Sequence, residues 1–206
     1  MIKKIYRFTG IVIILSVLLV SCGEDKKPLG PEVDVSNFLV KGWEAFENTP
    51  PDLSLALEQF SQAISLNSNS VEAYTGRGWT YARMAFGADS PEYSLARDNF
   101  DAALQRNNTY IDAWAGDALV NLVLNNYEEA KNSADYVIDI NSSYVFSHDN
   151  EINYVDILIV KAQSHYYLGE YAEVVLILNQ LQPGQQHYAD QPDQLLIQLQ
   201  SLINNN

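Results

Sequence analysis

The stretch AYTGRGWTYARM, residues 73–84, sets two glycines, Gly76 and Gly78, inside a segment whose flanks read as helix. Each glycine costs a helix interior about 1 kcal/mol relative to alanine. Gly78 also stands directly before Trp79, so a residue with no side chain precedes one of the largest. The pattern makes sense if a second helix crosses closest at Gly78. A Cβ there would push the pair apart, and dispersion contacts between the close-packed helices offset the propensity cost. This reading gives Gly78 a role and leaves Gly76 without one.

Outward from this stretch the chain repeats itself. ALEQFSQAISLN (56–67) returns as ARDNFDAALQRN (96–107), with Ala56, Phe60 and Ala63 matched by Ala96, Phe100 and Ala103. A weaker copy, AKNSADYVIDIN (130–141), keeps Ala130, Ala134 and Val137, and VVLILNQL (174–181) keeps Val174, Leu178 and Leu181. A spacing of four then three puts these side chains on one helical face. A second helix precedes each copy, centred on a small residue: Gly42, Gly78, Ala118 or Ala162. Four positions before each stands Phe38, Tyr74, Trp114 or Leu158.

This alternation resembles the tetratricopeptide repeat (TPR) over residues 35–182, in four copies. The resemblance implies an all-α fold, an αα-solenoid of about four TPR helix pairs plus a C-terminal capping helix. Copy four keeps the turn LGEYAEV (168–174), close to the family's G-D-Y-x-E-A. There are departures. Lys41, Arg77, Asp117 and Lys161 stand where the family has leucine, and Ser68, Asn108 and Ser142 replace its terminal proline. The turns ENTPPDLS (47–54) and FGADSPEYS (86–94) are long, the second with Ser90 and Pro91 reading as N-cap and N1. Twelve inserted residues, SYVFSHDNEINY (143–154), are expected to extend the first helix of copy four backward from Asp149. The tail, residues 183–206, carries an amphipathic helix with Leu195, Leu196, Leu199, Leu202 and Ile203 apolar, and Pro192 and Asp193 in its first turn. A solenoid needs such a cap over its last repeat.

In this family a stripe of each first helix lines a concave groove. By matching position it falls on Leu39, Trp43 and Phe46; then Thr75, Trp79 and Arg83; then Ala115, Leu119 and Leu122; then Ile159, Gln163, Tyr166 and Tyr167. Leu119, Leu122 and Ile159 suit packing between first helices. Trp43 and Trp79 read equally as groove or as packing, since tryptophan is amphipathic. The resemblance implies a protein or peptide partner. The Lys and Asn set that some members use to clamp a C-terminal carboxylate is absent from these positions.

The N-terminus reads as a processing signal. Lys3, Lys4 and Arg7 precede an apolar run, Phe8 to Val20, shorter than the roughly 20 residues that span a bilayer. It ends in LVSC (19–22), which resembles the bacterial lipobox, with Cys22 acylated at the head of the mature chain. Residues 1–21 are then the lipoprotein signal peptide and 22–34 a lipidated tether. Cys22 is the sole cysteine, so the exported chain has no disulfide. Gly23 after it argues against retention in an inner membrane, by analogy with lipoprotein sorting. The expected place is the outer membrane of a bacterial envelope, facing the periplasm or the surface.

Removing the signal takes three basic residues and no acid, carrying the net charge from −14 to −17. Such a surface repels nucleic acid and anionic headgroups, so the membrane is reached through the lipid. His148, Asp149 and Glu151 gather as a metal candidate, which a charged helix N-terminus explains more simply. No nucleophile–base pair, phosphate loop or metal motif stands out, so neither a cofactor nor a small-molecule substrate is expected. The function read here is a non-enzymatic, lipid-anchored adaptor working through the concave groove. The alternative is a structural subunit of an outer-membrane assembly machinery that uses its convex face and the loops at 48–54 and 87–94.

Overall fold

The computed structural model describes residues 34–205; the signal segment, Cys22 and the tether up to residue 33 lie outside the described residues. These form nine helices: α1 (Val35–Glu47), α2 (Leu53–Leu66), α3 (Val71–Met84), α4 (Pro91–Arg106), α5 (Ile111–Val123), α6 (Tyr127–Ile140), α7 (Tyr154–Tyr167), α8 (Tyr171–Leu181) and α9 (Pro192–Asn205). Successive helices pack as four antiparallel pairs, α1/α2 to α7/α8. The first helices α1, α3, α5 and α7 also touch one another in series, whereas α2, α4, α6 and α8 do not. The stack therefore closes on the side of the first helices, the inner face, and opens on the side of the second helices. α9 packs on α7 and α8 with Leu195 and Leu199 fully buried, closing the last pair.

The two glycines have different partners. A Cβ on Gly42 would stand 2.7 Å from the Phe60 ring, and one on Gly78 would stand 2.7 Å from Phe100. A Cβ on Gly76 would collide still harder with Phe60, as would one on Gly116 with Phe100. Each phenylalanine of a second helix thus lies between a glycine of its own pair and a glycine of the next. Gly76, which periodicity left unexplained, is the seat for the previous pair's ring. The residue each glycine must accommodate is a ring, not a crossing backbone.

Trp79 follows because its indole leans on the same ring, 5.5 Å from Phe100 at 73°, as Trp43 leans on Phe60 at 4.8 Å and 70°. At the third interface the sizes reverse. Ala134 takes the phenylalanine register and Val160, buried, takes that of Gly76 and Gly116 two residues before the small residue Ala162.

The turns repeat as closely as the core. One residue before the positions where the family has proline, Asn67, Asn107 and Asn141 end α2, α4 and α6. Each Oδ1 accepts the N–H two residues on, from Asn69, Thr109 and Ser143, at 3.0 Å. These Asx turns reverse the chain without fixing φ through a ring. The short turns after α5 and α7 place Asn125 (φ 60°) and Gly169 (φ 78°) in the left-handed region at the same point, a conformation that only Gly and, less often, Asn adopt readily. Ser90 is the N-cap of α4 with Pro91 following. Its hydroxyl, however, donates to the Glu92 carboxylate and accepts from Phe86 N–H instead of capping the helix backbone.

If ring and glycine set the interface, Phe100→Ala costs about 3–5 kcal/mol and Gly116→Val about 1–3 kcal/mol by overpacking. The double variant, which imitates Ala134 with Val160, loses less than the sum. A urea double-mutant cycle would show a favourable coupling of about 0.5–3 kcal/mol.

Candidate functional site

The inserted segment does not lengthen α7. That helix starts at Tyr154 behind a capping box, with Asn153 Oδ1 accepting Val155 N–H and Asp156 accepting Asn153 N–H. Tyr144 stands three residues after its Asx asparagine, in the slot where Ser70 and Tyr110 start α3 and α5. Instead of entering a helix there, the chain leaves and returns. Tyr154 N–H donates to Tyr144 C=O at 2.8 Å, and Phe146 N–H to Ile152 C=O at 2.9 Å. Residues 145–153 are pinched into a loop.

That loop lies on the inner face. Phe146 is fully buried, stacked on Trp79 at 4.4 Å and edge-on to Trp43 at 6.0 Å and Phe46 at 6.5 Å. The His148 ring is parallel to Trp43 at 3.6 Å, and its Nδ1 meets Glu47 Oε1 at 2.5 Å. Asp149 lies 3.9 Å from the Arg83 guanidinium. The Tyr144 hydroxyl donates to Asp112 Oδ1 at 2.9 Å, and burial together with that carboxylate pushes the phenol's pKa up.

The expected groove is therefore split. Trp43 and Trp79 are only 6% and 4% exposed, and Phe46 and Thr75 are buried with them. Both indoles also use their N–H internally, Trp43 donating to Glu72 Oε1 (3.0 Å) and Trp79 to Asp112 C=O (3.1 Å). These four residues are core; the loop packs over Trp43, Phe46 and Trp79, and of the four only Phe46 and Trp79 show an edge to the space left beside it. Leu39, Gln163 and Tyr166 are half-buried, while Arg83 and Tyr167 are exposed, Tyr167 stacking on Tyr127 at 4.7 Å. Ala115 and Ile159 are buried; Leu119 and Leu122 pack partly buried against the core. His148, Asp149 and Glu151 sit in the loop rather than at a helix start. Among the described residues no group of three or more His, Cys, Asp or Glu stands close enough to hold a metal ion.

Between the loop and the inner helices remains a cavity of about 250 Å³, lined chiefly by Phe46, Trp79, Tyr93, Leu119, Val123 and Ile152, with Arg83 and Asp149 as its charged members. The Arg83 guanidinium lies over the Phe46 ring at 4.8 Å and donates to Phe46 C=O at 3.1 Å. Sites for small organic ligands run to roughly 300–1,000 Å³. This one suits a single apolar side chain. Periodicity missed Tyr93, Val123 and the loop residues Phe146 and Ile152. The signal for the loop was present in Tyr144, Phe146 and His148, which alternate at every second position as an extended chain does.

No family model and no curated protein matches the sequence. Solved structures do resemble the fold. A tetratricopeptide repeat protein from Parabacteroides merdae ATCC 43184 is 19% identical with a TM-score of 0.58, over 87% of this chain and 61% of that one. MamA is 14% identical at 0.58, over 82% and 88%. A thermophilic TPR protein of Thermus thermophilus is 13% identical at 0.55, over 84% and 82%. The fold is a tetratricopeptide-repeat solenoid. At these identities the likeness is one of TPR architecture alone.

The outer side of the TPR stack holds one electrostatic anomaly. Asp117, in a leucine position of the repeat, is 5% exposed. Burial pushes its carboxyl up to about 6, opposed by the hydrogen bond from Ser133 and the charge of Arg97 and aided by the charge of Asp101. A carboxyl whose folded pKa exceeds its ordinary value contributes stability at low pH and loses it as pH rises through the folded pKa.

Two outcomes follow for this TPR domain. Phe146→Ala costs about 3–5 kcal/mol and uncovers both indoles, read as a red shift of tryptophan emission before any urea is added. Asp117→Asn removes one pH dependence. Relative to the variant, the parent chain loses on the order of 3 kcal/mol between about pH 4 and pH 7, measured by urea unfolding at each pH.

Proposed function

We propose that this chain is a non-enzymatic, lipid-anchored adaptor that captures a protein partner on the inner face of its TPR stack. The observation that carries the reading is the cavity left open between Arg83, Leu119, Val123 and the inserted loop. Its aromatic and aliphatic walls would bury one apolar side chain of the partner, worth about 1.5–3 kcal/mol. Arg83 and Asp149 beside it supply polar contacts that set direction. The half-buried Gln163 and Tyr166, with Tyr167, continue the surface along the same stripe. Curved repeat stacks present extended concave surfaces of this kind. The LVSC motif supports acylation at Cys22 and placement in the outer membrane, facing the periplasm or the surface. Tethering there raises the effective concentration of the adaptor at membrane-borne partners.

The test pairs two variants in native membranes. Val123→Trp fills the cavity and should cut partner capture at least about tenfold with the helical circular-dichroism signal unchanged. Cys22→Ala should lose acyl label and membrane association while still binding in solution. Undiminished capture by a folded Val123→Trp chain would refute the cavity as the docking point.

A further inference from the structure

The outer helices do not touch one another, so gaps open between them, floored by the inner helices. The residues that replace the repeat's leucine rise from these floors. From α3, Arg77 Nε donates to Asn99 Oδ1 on α4 at 2.7 Å. From α7, Lys161 Nζ meets Asp135 Oδ1 on α6 at 2.6 Å. In both gaps a cation from the floor is answered by a side chain of the adjoining wall. Between α4 and α6 the sign is reversed. Asp117 rises from α5, its Oδ2 accepting from Ser133 Oγ at 2.6 Å, while its buried Oδ1 has no hydrogen-bond partner. Asp101 of α4 and Glu129 of α6 line the same cleft, of about 360 Å³. Arg97 is the one cation of the lining; its Nη2 lies 3.3 Å from Asp98 on its own helix, and it makes no hydrogen bond to Asp117.

We propose that the cleft between α4 and α6 is a docking site for a basic side chain, arginine or lysine, of a partner protein. A buried carboxylate oxygen without a donor is costly, and a guanidinium or ammonium supplies the missing charge-assisted hydrogen bond. Asp101 and Glu129 flank the same cation from the two walls. Asn132, also in the lining, carries an amide oxygen able to accept one of its remaining N–H groups, whereas that of Asn121 already accepts from Asn126. Trp114 at the cleft offers an indole to a guanidinium plane. A chain with a net charge of −14 draws cationic partners from a distance. The carboxyl of Asp117, pushed up by burial and only partly offset by the Arg97 charge, provides a direct readout. This cleft is on the outer side, so it stands or falls separately from the inner cavity.

The experiment follows the Asp117 side-chain carboxyl by NMR in the purified chain while capped Gly-Arg-Gly and Gly-Lys-Gly peptides are added, with the neutral citrulline peptide and spermidine as comparisons. The basic peptides should lower its titration midpoint by about one pH unit or more, and citrulline should not. Asp117→Asn should weaken binding about tenfold. Arg97→Ala should leave it intact or tighten it. If Asp117→Asn disturbs the fold, the Asp101→Asn, Glu129→Gln variant on the exposed walls should show the same loss. The proposal is overturned if the midpoint is unmoved by about 20 mM peptide, or if the acid-to-amide variants bind equally well. Binding of spermidine alone would make the site one for free polyamines. Without peptide, Arg97→Ala should raise the midpoint, because the Arg97 charge already favours the ionised carboxyl; loss of peptide binding in that variant, or binding of spermidine alone, also ends the proposal.

Discussion

A phenylalanine ring lying flush on glycine backbone is the contact from which this molecule is built. Phe60 and Phe100 each occupy space left by two missing side chains, one on the inner helix of the same pair and one on the inner helix of the next. A single ring therefore sets both the closeness of a pair and its distance from its neighbour. The indoles of Trp43 and Trp79 then pack against these rings, and the inserted loop packs against the indoles. Burial of this aromatic series is non-directional as a driving force, yet the glycines give it a definite place. At the third interface Val160 and Ala134 keep the combined volume with the sizes exchanged, as close-packed interiors require.

The architecture was legible because it is written in spacing. Ala56, Phe60 and Ala63 and their copies mark one helical face, and Gly42, Gly78, Ala118 and Ala162 mark the place where the partner helix lies against another. The role of Gly76 was not legible, because its partner sits sixteen residues back, in the preceding pair. A pattern read within one repeat cannot show a contact made between two. The Asx turns at Asn67, Asn107 and Asn141 were visible as letters but not as turns, since their effect lies in a side-chain oxygen reaching two residues on.

The inner face was legible as a stripe, but whether Trp43 and Trp79 stand in it as groove or as packing was not. Matching positions placed Trp43, Phe46, Thr75 and Trp79 on the concave side. What covers the two indoles and Phe46 comes from a segment nearly seventy residues beyond Trp79, with no counterpart in the other repeats. Position within a repeat says which way a side chain faces; it does not say whether another part of the chain has already taken the space. The alternation of Tyr144, Phe146 and His148 conflicts with a helical extension, and the capping box at Asn153 settles where the helix begins.

Because the loop departs at Tyr144 and rejoins at Tyr154 through one backbone hydrogen bond, its length is independent of the superhelix that carries it. Residues can be gained or lost between those two points without shifting any helix along the stack. Such a graft point lets the chain beyond Phe146 vary, and with it the rim of the hollow, while Phe146 stays on the indoles and every ring on its glycine.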